Sequence, residues 1–322
     1  MPHPLVERLE HHQVSVYVGA ITVGVLCGWA TPGLGGALEY AVTPVLAALL
    51  YVTFLQVPAA DLLRALRAGR FLAAVLAVNF VVVPVVVAVM FPLMPADQGL
   101  RLGMLLVLLA PCVDYVIVFS RLAGGSADRL LAATPLLLIA QMLLLPLFLL
   151  AFLGPDLAEV VEPGPFLHAF LTLILAPLVL AWATQAWARR APPGRRVAAG
   201  AGNVMVPLMA ATLLSVVASQ VPKLDGRVIE VAAAAPFFVA FLVVMALAGR
   251  VLARAFRLDV PEGRAVVFSG ATRNGLVLLP LALALPGDLA ALAPLVMVGQ
   301  TLVEVVGMVV YVRLVPRLLP QR

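Results

Sequence analysis

The sequence predicts an all-α integral membrane protein of ten transmembrane helices, built as two inverted five-helix repeats, with the fourth and ninth helices interrupted and crossing. Three observations predict it: the composition, the recurrence of uncharged runs of bilayer length, and the spacing of arginine between those runs. Of 322 residues, 63% are hydrophobic and 11% are charged, against about 25% charged in an ordinary soluble domain. A soluble core does not absorb that excess. The runs Phe71 to Pro92, Pro165 to Ala188 and Val231 to Ala248 carry no charge at all. At 1.5 Å per residue, about 20 such residues cross the ~30 Å hydrocarbon layer.

Hydropathy and the Gly, Pro and charge punctuation place the helices at about 14–30, 37–57, 71–93, 102–120, 130–153, 165–187, 202–221, 231–249, 264–286 and 289–312. The first follows a polar segment holding His3, His11 and His12, and no small-residue cleavage site comes after it. It reads as a retained helix and not as a signal peptide. It carries Cys27 beside Gly24 and Gly28, a small-residue face suited to packing. The third holds Asn79, which suits a hydrogen bond between helices better than a ligand's role, the fifth Gln141, and the tenth Gln300 and Glu304. Glu304 is a candidate proton carrier or a paired structural acid. The two glutamines suit either hydrogen bonds between helices or cation coordination through their carbonyl oxygens.

Lys and Arg close to span ends stay on the cytoplasmic side. With both termini inside, the cytoplasmic segments hold about 17 basic residues, among them Arg64, Arg67, Arg70, Arg195, Arg196 and Arg264, while the opposite side holds about three, Arg101, Lys223 and Arg227. Every loop after an even-numbered helix is basic, so the alternation tests the helix count together with the orientation. The sequence pI near 9.8 is thus topological and implies no nucleic acid. The lipid bilayer and a small-molecule substrate are the expected partners, the inner or plasma membrane is the expected location, and the oligomeric state stays open.

Ten spans divide into sets of five, about 14–153 and 165–312, within one transmembrane transporter domain covering 1–322. An odd number per set inverts the second copy. At an offset of about 159 residues, Pro111 aligns with Gly270, Asp114 with Arg273, Pro135 with Pro294 and Gln141 with Gln300. All four fall in spans four, five, nine and ten, where a site between repeats would lie.

Span four carries Pro111 and Asp114 in mid-membrane. Span nine carries Gly270 and Gly275 around the polar run Ser269, Thr272, Arg273, Asn274. Proline removes a backbone donor, and a charge at that depth costs about 2.5–3.5 kcal/mol on insertion scales. Irregular backbone at that depth survives only when buried in protein or lining a cavity, where half-helix ends can hold a substrate or ion. Two breaks with intramembrane charges at repeat-related positions therefore predict a substrate site made by Asp114, Ser269, Thr272, Arg273 and Asn274. Pro111, Gln141, Gly270, Gly275, Gln300 and Glu304 would support the crossing or the coupling. A proline kink plus an architectural Asp114–Arg273 pair is the plainer alternative.

The stretches Ala110-Pro111-Cys112-Val113-Asp114-Tyr115 through Gly125, and Ser269-Gly270-Ala271-Thr272-Arg273-Asn274-Gly275-Leu276, resemble the bile acid:sodium symporter and arsenical-resistance permease superfamily, nearer its arsenic-resistance branch. The resemblance implies a panel domain and a core domain, with the fourth and ninth spans unwinding and crossing at the substrate site. It also matches Cys112 to a cysteine important in the arsenite permeases. Those permeases carry a glutamate near the position of Leu276, and the sodium-coupled branch carries an acidic residue and a glutamine near Phe268 and Thr272. This chain has no carboxylate in span nine.

The expected activity is secondary transport, as an arsenite-type metalloid or small-anion efflux permease, with sodium-coupled uptake of a bile-acid-like anion as the alternative. Cys112 would be a soft ligand for a thiophilic metalloid, or else a small buried hydrophobe. An enzyme using Cys112 as nucleophile would need a nearby base. Only Asp114 is close in sequence, and His168 near a membrane edge is the one histidine outside the N-terminal segment. There is no Walker motif. No catalytic residue, metal site or cofactor is expected, only a proton or sodium gradient.

Overall fold

The computed structural model describes residues 13–31, 35–56, 69–113, 115–154, 168, 170–224, 228–286 and 289–320. Among these the chain is helical, apart from short connections and one isolated backbone bridge. Helices α1 (Gln13–Ala30) and α2 (Gly35–Leu55) occupy the first two expected spans. The third is a composite of α3 (Gly69–Ala77), a π turn over Val78–Val82, α4 (Val83–Met90) and a 3-10 turn over Phe91–Leu93. The π turn lies just ahead of Pro84. A proline has no N–H and its ring excludes the carbonyl four residues back, so the helical ladder widens here and the Val83 N–H bonds Val78 O.

The fourth expected span is cut into α5 (Gln98–Leu108) and α6 (Tyr115–Leu122). Then come α7 (Ala127–Leu153), a π turn over Phe170–Leu175 leading into α8 (Ala176–Arg190), α9 (Pro192–Asn203) and α10 (Met205–Gln220). Short α11 (Val228–Ala232) precedes α12 (Ala235–Ala255). The ninth expected span is also in two pieces, α13 (Val260–Ala271) and α14 (Gly275–Leu283), and α15 (Leu289–Leu318) closes the chain.

Among the described residues, four stretches are long and apolar enough to cross a membrane: Gly69–Leu93, Ala127–Leu153, Ile229–Ala255 and Ala291–Leu318. The pair α9 and α10, bent by 51°, makes a fifth when taken as one span. The bend revises the simple span expected at 202–221: α9, which carries Arg195 and Arg196, turns away at Val204. Spans four and nine fall short of the crossing length because each is divided. Their halves are too brief to cross singly.

The helices pack chiefly in two groups, which meet where α10 touches α15. In one, α1 and α2 lie against α10, and α2 also lies against α8. Tyr51 Oη and Thr184 Oγ1 are 2.9 Å apart across that seam, and Gln185 Nε2 donates to Leu55 O at 3.0 Å. In the other, α12 packs on α13, and both α5 and α14 pack on α15. Small residues set the approach. A Cβ at Gly103 on α5 would sit 2.9 Å from both Cα and O of Ala293 on α15. The outer faces carry exposed Val81, Val85, Val89, Leu143 and Leu147, the pattern of a protein whose solvent is lipid. An apolar groove of about 690 Å³ between α12 and α15, lined by Val239, Val243, Val306 and Val310 among others, belongs to that outer face, since those four valines are exposed.

One sequence expectation needs correction here. Arg264 is not a loop cation: helix α13 starts earlier, at Val260, because Asp259 and Glu262 form a reciprocal capping box. Arg264 is thereby 7% exposed. Its Nε and Nη2 donate to Leu319 O at 3.1 and 2.9 Å, and its Nη1 donates to Ala123 O at 2.9 Å. Gly124 makes room, with φ of 69° and a position where a Cβ would meet Arg264 Nη1 at 2.7 Å. Arg129 also pairs with Glu262, and Ser126 N donates to Pro261 O at 2.9 Å. The α6–α7 connection, the start of α13 and the end of α15 therefore meet at one end of the molecule, as the arginine alternation requires of loops on one side.

Candidate functional site: the crossing of two interrupted helices

Between α5 and α6 the chain is non-helical through Leu109–Val113, and between α13 and α14 through Thr272–Asn274. These two breaks meet. Pro111 and Arg273 form an antiparallel bridge in which Cys112 N donates to Thr272 O at 3.3 Å and Asn274 N donates to Ala110 O at 2.9 Å. The pairing suits proline. The bonds are made by the residues flanking the Pro111–Arg273 pair, so the missing proline N–H leaves no gap. Each break thus supplies the hydrogen-bond partners that the other lost by leaving the helix, which apolar surroundings demand. Thr272 closes α13, with its N–H and Oγ1 both on Phe268 O. Asn274 opens α14, its Oδ1 accepting Val277 N at 3.2 Å.

Arg273 is fully buried at 0% exposure. Its Nη2 donates to Asn79 Oδ1 at 2.6 Å, Ser269 O at 2.7 Å and Gly270 O at 2.9 Å, and its Nη1 reaches Leu108 O at 3.3 Å. The guanidinium also lies over the Phe241 ring, 5.7 Å from its centroid. Leu108 ends α5, and Ser269 and Gly270 lie in the last turn of α13. The charge therefore sits where the negative ends of two half-helices converge. Asn79 is placed by the π turn. Its Nδ2 donates to Val75 O at 2.9 Å and to Ser269 Oγ at 2.8 Å. At Gly270 a Cβ would lie 2.5 Å from Val78 Cγ2, so glycine lets α13 close on that turn.

Glu304, 1% exposed on α15, accepts the Arg273 backbone N–H at 2.8 Å and a second bond from Gln300 Nε2. Cys112 is fully buried in the α5–α6 break. Gly275 packs against Val107 and Met297. Of the residues read from the sequence, Pro111, Cys112, Ser269, Gly270, Thr272, Arg273, Asn274, Gln300 and Glu304 come together through these contacts. Gln141 is buried on α7, and among the described residues no hydrogen bond joins it to the bridge. Asp114 lies outside the described residues. Asn274 Nδ2, Gln300 Oε1 and Gln141 Oε1 are buried without a hydrogen-bond partner among the described residues. Sequence reading assigned Asn79 a bond between helices but did not connect it to Arg273, and it missed Leu108 O and Phe241. The available signal was Asn79 itself, the one polar residue between Phe71 and Leu93, with Pro84 just after it.

The family model for SBF-like CPA transporters matches residues 16–312. The chain belongs to that family. Its match takes in both breaks and the helices around them, so this SBF-like CPA transporter is a membrane transporter by family, and its long apolar helices suit a membrane. No curated protein matches the chain by sequence.

Proposed function

We propose that this SBF-like CPA transporter is a secondary active transporter whose substrate site is the crossing of the two breaks, within a ten-span fold of two inverted five-helix repeats. The observation that carries the reading is the Pro111–Arg273 bridge. Unwound backbone between apolar helices is retained where it holds a solute or lets helices rearrange. The repeat reading is supported by the fact that both breaks interrupt spans at equivalent places in their halves. Among the described residues the buried polar atoms Asn274 Nδ2 and Gln300 Oε1 lack hydrogen-bond partners, which suits a small polar solute.

The substrate class is an arsenite-type metalloid or small anion, exported at the expense of a proton gradient or membrane potential. The metalloid arm rests on Cys112, whose backbone bonds Thr272 within the bridge. A lone thiol binds trivalent arsenic weakly enough to release it. Glu304, which contacts the Arg273 backbone and Gln300, is the candidate proton carrier. Sodium-coupled uptake of a bile-acid-like anion is the alternative. Against it stands a permanent guanidinium among the oxygens that an ion would use.

The test is uptake and efflux in proteoliposomes with arsenite, antimonite and a bile-acid analogue under imposed proton or sodium gradients. Arsenite flux that is lost in Cys112→Ser and kept in Cys27→Ala is the expected result. A wild type that moves no arsenite, or a Cys112→Ser variant that moves it normally, ends the metalloid reading. For a plasma-membrane location with both termini cytoplasmic, cysteines at exposed Ala96 and Arg196 should label from opposite faces in a cysteine-free background. Gly194 is unsuitable for a label, because a Cβ there would lie 2.7 Å from Ala188 N.

A further inference from the structure

The surroundings of Arg273 Nη2 have the character of a cation site. Three oxygens stand around this one nitrogen at 2.6, 2.7 and 2.9 Å, yet a guanidinium Nη carries two hydrogens. Around Nη2 the oxygens outnumber the protons. They are packed about a positive centre, as carbonyls pack about a metal ion. Two of the three are last-turn carbonyls of α13, a third half-helix carbonyl, Leu108 O, approaches Nη1 at 3.3 Å, and the Phe241 ring faces the same charge. Unwound carbonyls and half-helix C-terminal ends are the groups that hold Na⁺ in transporters with broken helices. Here the positive charge arrives on the chain.

We infer that Arg273 is a tethered cation: its guanidinium permanently fills an oxygen cage, formed by Asn79, Ser269, Gly270 and Leu108, that would otherwise hold a monovalent metal cation, so the crossing is assembled without one. A guanidinium stays protonated throughout the physiological range, and a tethered charge cannot leave with the substrate. The crossing should therefore be indifferent to sodium, and any ion coupling must pass through another group. That consequence for coupling rests on the transporter reading above. The cage itself does not.

The inference has a substrate-free test. The purified full-length protein is unfolded thermally in detergent at constant ionic strength, in N-methyl-D-glucamine, potassium, sodium or methylguanidinium chloride. Wild type and Arg273→Lys should show the same Tm in N-methyl-D-glucamine and sodium. Arg273→Ala, which empties the cage, should unfold several degrees lower in N-methyl-D-glucamine and regain at least half of the loss with rising sodium or methylguanidinium. Arg273→Met, which keeps the stem and removes the charge, should stay low in every salt. A wild type stabilised by sodium overturns the inference, and so does an Arg273→Ala protein that no cation rescues. Should Arg273→Ala not fold at all, Lys against Met decides: a Met variant as stable as the Lys variant, or a Lys variant that also fails to fold, counts against a charge-holding cage. Absence of flux in liposomes would remove the transport reading and leave these Tm comparisons standing.

Discussion

Arg264 and Arg273 belong to the same stretch of chain, both are buried, and both spend their donors on backbone carbonyls, but they sit in different solvents. Arg264 closes one end of the bundle, tying Ala123 and Leu319 to the first turns of α13. If its bonds break, a long side chain at that level reaches water, and so do the carbonyls it leaves. Arg273 lies at the far end of α13, between apolar helices, and holds Leu108, Ser269, Gly270 and Asn79. No comparable escape exists there. The same chemistry is a fastener at the end of the bundle and a condition of the fold at its centre.

Removing each charge with its stem kept gives the largest contrast. Arg273→Met leaves three carbonyls and one amide oxygen short of a donor, each worth about 1–3 kcal/mol when buried; with partial relaxation the expected loss is about 3–5 kcal/mol. Arg264→Met should lose only about 1–2 kcal/mol, because water can replace the donors. Thermal unfolding of both variants in the same detergent measures the difference, and equal losses would break the comparison.

Next in size is Asn79→Leu, which preserves the bulk of the side chain but takes an acceptor from Arg273 and a donor from Ser269. A hydrogen bond to a charged group contributes about 1.5–3 kcal/mol, so a destabilisation in that range is expected. The loss should shrink when Arg273→Met is already present, as a double-mutant cycle would reveal. Simple additivity would mean that the two side chains do not act on each other.

At the end of the bundle, Glu262→Gln keeps a side chain able to serve the capping box while removing the charge facing Arg129. That arginine side chain is 53% exposed, so the pair should contribute less than about 1 kcal/mol, and less still at high salt. The comparison of unfolding curves at low and high ionic strength reads it. The smallest effect is expected at Cys27, which is half-buried on α1 between glycines that pack on α10. Cys27→Ala should stay within about 0.5 kcal/mol of wild type, and a larger loss would show that this seam depends on the thiol.

Much of the site was legible because lipid enforces simple rules. Pro111, Gly270 and the polar run from Ser269 to Asn274 cannot be part of an uninterrupted lipid-facing helix, so the places where helices break followed from the residues alone. The small-residue seam at Gly24 and Gly28 was legible for a similar reason: a Cβ at either would lie 3.0 Å from a carbonyl oxygen of α10. The true start of α13 was less legible. A capping box at Asp259 extends the helix past the hydropathy boundary and draws Arg264 inward.

The sequence by itself determined that the chain is apolar and helical, that the helices break around Pro111 and around Arg273, and that a charge lies inside one of those breaks. Those properties depend on residue type and spacing along the chain. Only the tertiary structure decided that the breaks pair through Ala110, Cys112, Thr272 and Asn274, and that Arg273 turns its charge on the carbonyl ends of α5 and α13 beside Asn79. Those partners are mostly backbone atoms, which every residue possesses and no composition distinguishes. Which of them converge depends on how half-helices far apart in sequence are packed together.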